Sequence, residues 1–224
     1  MNLLFIGLPG CGVRETARFA AERLDLRFVD TDEVLTRNLS LSLQDLYSLF
    51  TPDALRDVLC RLAGQLAEGD GYCIAAGDCF LDEPEALDTL TSSACTVYLD
   101  MSPEAAASAC REPDHPVLRR GLFRLRELYD TRRERLTETA DAILSADGRT
   151  PEDLAEQAAS RFPQMIRNRD DAVLRKRALE ENRHALVPLL TARAVLLGLT
   201  EAQTERYIAY VLDPPDHGGT TGGD

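Results

Sequence analysis

Two periodicities alternate along the first 162 residues. Short apolar runs of strand length lie at residues 2–6 (Asn-Leu-Leu-Phe-Ile), 26–29, 72–76, 95–99 and 142–144. The segments between them carry apolar residues at helical spacing. Residues 13–24 place Val13, Ala17, Ala20, Ala21 and Leu24 on one face. The same reading predicts helices over 33–37, over 43–66 with a break near Thr51-Pro52, and over 83–90. Ser102 caps a further helix that has Pro103 at its first position and runs to about Cys110. Arg111-Glu112-Pro113-Asp114-His115-Pro116 then reads as a loop, followed by an arginine-rich helix over 117–137. Pro151 opens another helix that ends near Phe162. Strands separated by helices predict an α/β domain with a five-stranded parallel sheet and helices on both faces.

Beyond this domain, residues 163–213 read as a helical extension. Two helices, Gln164 to about Leu190 and Glu201 to Leu212, meet near Gly198-Leu199-Thr200, where Thr200 caps the second. Leu186, Val187, Leu189, Leu190, Val195, Leu196 and Leu197 are too many apolar residues for a free tail. They are expected to pack on the domain or on a second subunit, which would make a homodimer. Residues 214–224 are glycine-rich and are expected to be disordered. The organisation expected is therefore 1–162, 163–213 and 214–224.

Composition narrows the class. A chain of 224 residues, 44% of them hydrophobic, can bury one full core plus an appendage. The net charge of −13 argues against a nucleic-acid surface. The first apolar run is too short to be a leader or a membrane span, so a cytoplasmic protein is expected, with no membrane partner. Six cysteines show no C-x-x-C spacing and read as reduced thiols. Of 25 basic residues only Lys176 is a lysine, so none lies within residues 1–162.

That last fact bears on the first turn. Gly7-Leu8-Pro9-Gly10-Cys11-Gly12-Val13-Arg14 follows a strand and opens a helix, the context a phosphate-cradling loop requires. The pattern G-x-x-x-x-G-K-[ST] is met by Gly7 and Gly12, but Val13 stands in the lysine position and Arg14 in the hydroxyl position. The loop's N–H groups can still bind phosphate. The cation between the phosphates and the Mg²⁺ ligand are both missing. Glu15 adds a negative charge that competes with phosphate for the same N–H groups. A glycine turn kept only to pack strand on helix is the plainer alternative.

In their order, these features resemble the shikimate kinase family, small P-loop kinases of the nucleoside monophosphate kinase type. The resemblance covers residues 1–162. It rests on the glycine loop, Arg18 on the first helix, Asp30-Thr31-Asp32, Ser42-Leu43-Gln44-Asp45-Leu46-Tyr47 and Leu55-Arg56. It continues through Ala75-Ala76-Gly77-Asp78-Cys79, Val97-Tyr98-Leu99, the lid segment His115-Pro116-Val117-Leu118, Arg132-Arg133-Glu134-Arg135-Leu136 and Ala140-Asp141.

The resemblance implies ATP and Mg²⁺ as cofactors and shikimate or a similar small anion as substrate. It assigns Gly7, Gly10, Cys11 and Gly12 to the phosphates, Asp30 to Mg²⁺, and Pro151 to one adenine face. Asp32 would bind ring hydroxyls and orient or deprotonate the accepting one, Arg56 and Arg132 would clamp the carboxylate, and the Gly77 backbone would approach the substrate. Arg14 would reach back toward the phosphates. His115 replaces the lid arginine and Ser108 the arginine that stacks on adenine, with Arg111, Arg119 and Arg120 near enough to compensate. Asp78 and Cys79 depart from the family's triple glycine, and Asp78 would oppose an anion there. Cys11 and Cys79 would lie on neighbouring loops, as inert thiols or as a redox pair. Three readings stay open: an ATP-dependent shikimate kinase, another small-molecule kinase of this fold, and a non-catalytic pseudokinase. The last would bind an anionic metabolite or nucleotide, or act as a protein-partner module.

Overall fold

The computed structural model describes residues 1–109 and 121–212. Arg111, His115, Arg119, Arg120 and the 214–224 tail, all singled out above, lie outside the described residues. The chain separates into two compact units between Ile166 and Arg167.

In the first unit, β1 (Asn2–Gly7), β2 (Arg27–Asp30), β3 (Tyr72–Ala75), β4 (Ala94–Asp100) and β5 (Ala142–Ser145) form one sheet in the order β2-β3-β1-β4-β5. Every pairing is parallel, with Phe5 of β1 opposite Ala75 on one side and Val97 on the other. The alternation of β1 explains the layering. Leu3 and Phe5 face a cluster containing Ala17, Ala20, Ala155 and Phe162, whereas Leu4 and Ile6 face one containing Leu59, Leu62, Phe80 and Leu87. All four side chains are fully buried. The helices supplying those layers are α1 (Val13–Leu24), α2 (Thr31–Leu39), α3 (Leu43–Leu49), α4 (Pro52–Glu68), α5 (Asp78–Asp82), α6 (Pro84–Ser93), α7 (Pro103–Ala109), α8 (Gly121–Thr139) and the start of α9 (Pro151–Leu196).

Local chemistry sets several boundaries. Ser42 and Asp45 form a reciprocal capping box at α3, and Thr51 caps α4 with Pro52 in its first turn. Two features differ from the expectation. A short helix, α5, follows β3 where only a turn was expected, because Gly77 closes the strand and Phe80 N–H bonds back to Gly77 O. The helix opened by Pro151 does not end near Phe162 but continues through Pro163. An interior proline costs about 3 kcal/mol in isolation. Here Phe162 and Met165 on either side are anchored in the core, which offsets that cost.

The second unit contains the rest of α9 and α10 (Glu201–Leu212). Gly198 takes a positive φ of 70° and ends α9. Thr200 N–H donates to Gln203 Oε1 at 2.9 Å, and Gln203 N–H donates to Thr200 Oγ1 at 3.4 Å, giving the expected cap. Leu189, Val195, Leu196 and Leu197 are exposed, Leu196 at 87%. Among the described residues no helix is long and apolar enough to cross a membrane.

Parallel strands align their carboxyl ends, so the turns after β1, β2 and β3 share one edge of the sheet. Gly7 fixes the first of these turns. A Cβ built there would lie 2.4 Å from Cys11 Sγ and 3.1 Å from Leu99 O. Gly7→Ala is expected to lower stability by about 1–3 kcal/mol, the usual cost of overpacking. The loss should be smaller in a Cys11→Ala background, as read by chemical denaturation of the four proteins of the double-mutant cycle.

Candidate active site

A cavity of about 760 Å³ opens on that edge. The loop from Gly7 to Glu15 forms one wall, Asp30, Asp32 and Ala75–Asp78 the floor, and Ser108, Ala109 and Arg149–Glu152 much of the remainder.

The loop keeps its backbone form. Gly10 and Gly12 have φ of 92° and 79°, which side chains rarely adopt, and Gly12 sits at the N-cap of α1 without a side-chain cap. Cys11 turns inward and is buried. That burial pushes its thiol up to about 12, so it is no nucleophile at neutral pH. Val13 packs against the core beneath the sheet. Pro151 Cγ approaches Gly12, 3.6 Å from where a Cβ would stand.

Arg14 is where the loop's chemistry changes. Its Nε lies 2.9 Å from Asp30 Oδ2, and its Nη2 donates to Glu33 Oε2 at 3.4 Å. The other oxygen, Asp30 Oδ1, accepts from Asp32 N–H at 2.9 Å and Glu33 N–H at 3.2 Å and so caps α2. Both oxygens of this nearly buried carboxylate are therefore engaged. A cation at Asp30 would have to displace a guanidinium, and the position that normally offers a hydroxyl supplies that guanidinium. Among the described residues no group of three or more His, Cys, Asp or Glu side chains could hold a metal ion. The donor set does not fit Mg²⁺, and without the loop lysine the cradle does not fit a Mg-bound triphosphate.

Deeper in the cavity, Asp32 packs onto Gly77 so closely that a Cβ on Gly77 would come within 1.7 Å of Asp32 Oδ1. Gly77 N–H donates to Thr31 Oγ1 at 2.7 Å, fixing the two turns together. Burial, then the charges of Asp30 and Asp78, push the Asp32 carboxyl up to about 7, and the Cys79 thiol donating to Oδ1 at 3.9 Å only partly opposes this. Burial also raises the Cys79 thiol well above its ordinary value, with Asp32 and Asp78 adding to it.

Arg132, from α8, is only 5% exposed. Its Nη1 donates to Asp78 Oδ1 at 2.5 Å and its Nε to Asp82 Oδ1 at 2.9 Å. Burial by itself lowers the Arg132 pKa, but the two carboxylates outweigh it and hold the guanidinium above its usual value. Arg56, from α4, faces Asp53 at 3.1 Å and Glu83 at 3.5 Å.

The structure thus gathers Gly7, Gly10, Cys11, Gly12, Arg14, Asp30, Asp32, Gly77 and Pro151 around one cavity. Arg56 and Arg132 do not line it, and each is held by carboxylates of the chain itself. His115 and Arg111 lie outside the described residues. Sequence reasoning missed the pairing of Arg132 with Asp78 and Asp82, and that of Arg14 with Asp30. Asp78 and Asp82 are four residues apart, a spacing that places both on one face once α5 is known to be a helix.

Comparisons with known proteins agree with this fold. The shikimate kinase family model matches residues 9–163. The chain is 27% identical over 162 residues to shikimate kinase from Symbiobacterium thermophilum, covering 70% of this chain and 93% of that one. It is 30% identical over 152 residues to shikimate kinase from Paracidovorax citrulli, covering 66% and 83%. Among solved structures, the shikimate kinase of Acinetobacter baumannii in complex with shikimate superposes with a TM-score of 0.65 at 21% identity, over 70% of this chain and 89% of that chain. The Aquifex aeolicus enzyme gives 0.60 at 23%, over 70% and 93%. At these identities the structural likeness speaks for the fold.

A raised Asp32 pKa makes a test of the floor. The native state holds this proton more tightly than the unfolded chain, so Asp32's contribution to stability is present at low pH. It is lost as pH rises from about 4 toward about 7. Asp32→Asn is expected to raise stability by about 2–4 kcal/mol at pH 8 and to change it little at pH 4, as read from thermal melts across that range.

Proposed function

The chain belongs to the shikimate kinase family, and we propose that it is a non-catalytic member, keeping the cavity for binding while having lost phosphoryl transfer. The ion pair between Arg14 and Asp30 carries this reading. Phosphoryl transfer depends on positioning and on cations that neutralise charge as it develops. Here the loop lysine is replaced by Val13, residues 1–162 contain no lysine to substitute, and the metal-side carboxylate is neutralised by the protein. The floor at Asp32 and the loop at Arg149–Glu152 still offer a small metabolite or a nucleoside polar groups and a shaped wall.

The second reading, an active kinase of shikimate with ATP and Mg²⁺, is favoured by Asp32. A carboxyl with a pKa of about 7 on the cavity floor suits a group that orients or deprotonates an accepting hydroxyl. Cys11, Cys60, Cys73 and Cys79 are free thiols, which supports a cytoplasmic setting. The exposed Leu189, Val195, Leu196 and Leu197 support a homodimer through the second unit. A monomer by sedimentation at micromolar concentration would contradict that.

A coupled assay with ATP, Mg²⁺ and shikimate is expected to show no turnover. Rates of about 1–100 s⁻¹, ordinary for kinases, would overturn the non-catalytic reading and establish the second. Val13→Lys combined with Arg14→Ser should raise affinity for Mg-ADP on the order of tenfold or more in calorimetry. An unchanged affinity would place the defect outside the loop.

A further inference from the structure

A guanidinium withdrawn from water needs anionic partners, because an uncompensated buried charge is far costlier than a paired one. Arg132 is such a group. It presents a planar fork of donors, and the chain fills it from one short helix: Asp78 at the start of α5 takes Nη1, and Asp82 at its end takes Nε. Arg132 Nη2 lies 2.6 Å from the same Asp82 oxygen but makes no aligned hydrogen bond, so one buried N–H remains without a proper acceptor. Asp78 itself is 8% exposed and forms part of the cavity floor beside Asp32. The fork therefore points at the cavity through Asp78, which stands between the two.

From this arrangement we infer that Asp78 is a built-in stand-in for a ligand carboxylate, and that the cavity takes hydroxyl-bearing small molecules carrying no acid group at this position. A carboxylate arriving from the cavity has two routes, and both are unfavourable. It can displace Asp78 from Arg132, leaving a nearly buried aspartate without its cation. Alternatively it can join Asp78 and Asp82 as a third negative charge on one guanidinium. The described cavity lining adds to the selection, because Glu15, Asp30, Asp32, Asp78 and Glu152 outnumber Arg14 and Arg149. Hydroxyl groups meet no such penalty. They can donate to Asp32 and Asp78, whose carboxyl oxygens are the polar features of the floor. Gly77, just before Asp78, is tied to the turn after β2 by its N–H bond to Thr31 Oγ1 at 2.7 Å.

This inference rests on the non-catalytic reading of the same cavity, but the two fail separately. Calorimetric titration of shikimate and of its uncharged methyl ester into the wild type and Asp78→Ala tests it. The wild type should bind the ester at least as tightly as the acid. Asp78→Ala should bind the acid on the order of tenfold tighter than the wild type does, with the ester little changed. A wild type that prefers the acid, or a variant that gains no affinity for it, overturns the inference. Turnover by the wild type overturns the non-catalytic reading instead. Because Asp78→Ala removes a partner of a buried cation, its melting temperature is also followed against acetate concentration. Acetate should stabilise Asp78→Ala by refilling the fork and leave the wild type unmoved. A variant that does not respond to acetate counts against the inference, whatever its starting stability.

Discussion

An arginine side chain withdrawn from water cannot stay uncompensated, because a buried unpaired charge is far costlier than a paired one. In this protein Arg132 is buried by α8 and the turn after β3, and its charge is met by Asp78 and Asp82. Such a pair adds little net stability over an apolar core, but removing one partner typically costs about 3–5 kcal/mol. The pair is thus a strong constraint without being a strong stabiliser. It fixes α5 against α8, sets the position of Asp78 on the cavity floor, and through Asp78 contributes to the raised pKa of Asp32.

The same pattern repeats at the other end of the cavity. Arg14 engages one oxygen of Asp30 while the backbone of α2 engages the other. Arg132 and Asp30 are thus each met by opposite charge from the chain itself. The sheet, the glycine loop and the contact of Pro151 with that loop are unaffected, because they depend on burial and backbone conformation rather than on the ligand.

Much of this was legible in the residue pattern. The five strands and the parallel, two-faced sheet follow from apolar runs such as Leu3–Ile6, whose alternate residues enter opposite layers. The glycine loop was located by its spacing, Asp30 and Asp32 by the family resemblance, and the structure brings them to one cavity. The continuation of α9 through Pro163 was not legible, since it depends on the burial of Phe162 and Met165, a tertiary effect. Nor were the ion pairs. Arg132 and Asp78 are 54 positions apart, and a reading of single residues gives a guanidinium its function but not its partner. Arg14 illustrates the same limit: one position from a missing lysine it resembles a replacement, whereas in the fold it turns to Asp30.

The claim that the protein's own charges satisfy both Arg132 and Asp30 is tested most directly by a crystal structure obtained with shikimate and Mg-ADP at saturating concentration. The account predicts that Arg132 stays on Asp78 and Asp82 and Arg14 on Asp30, with no ligand carboxylate at the former and no metal at the latter. A structure in which Arg132 has left Asp78 for the shikimate carboxylate, with Mg²⁺ at Asp30 in place of Arg14, would contradict it.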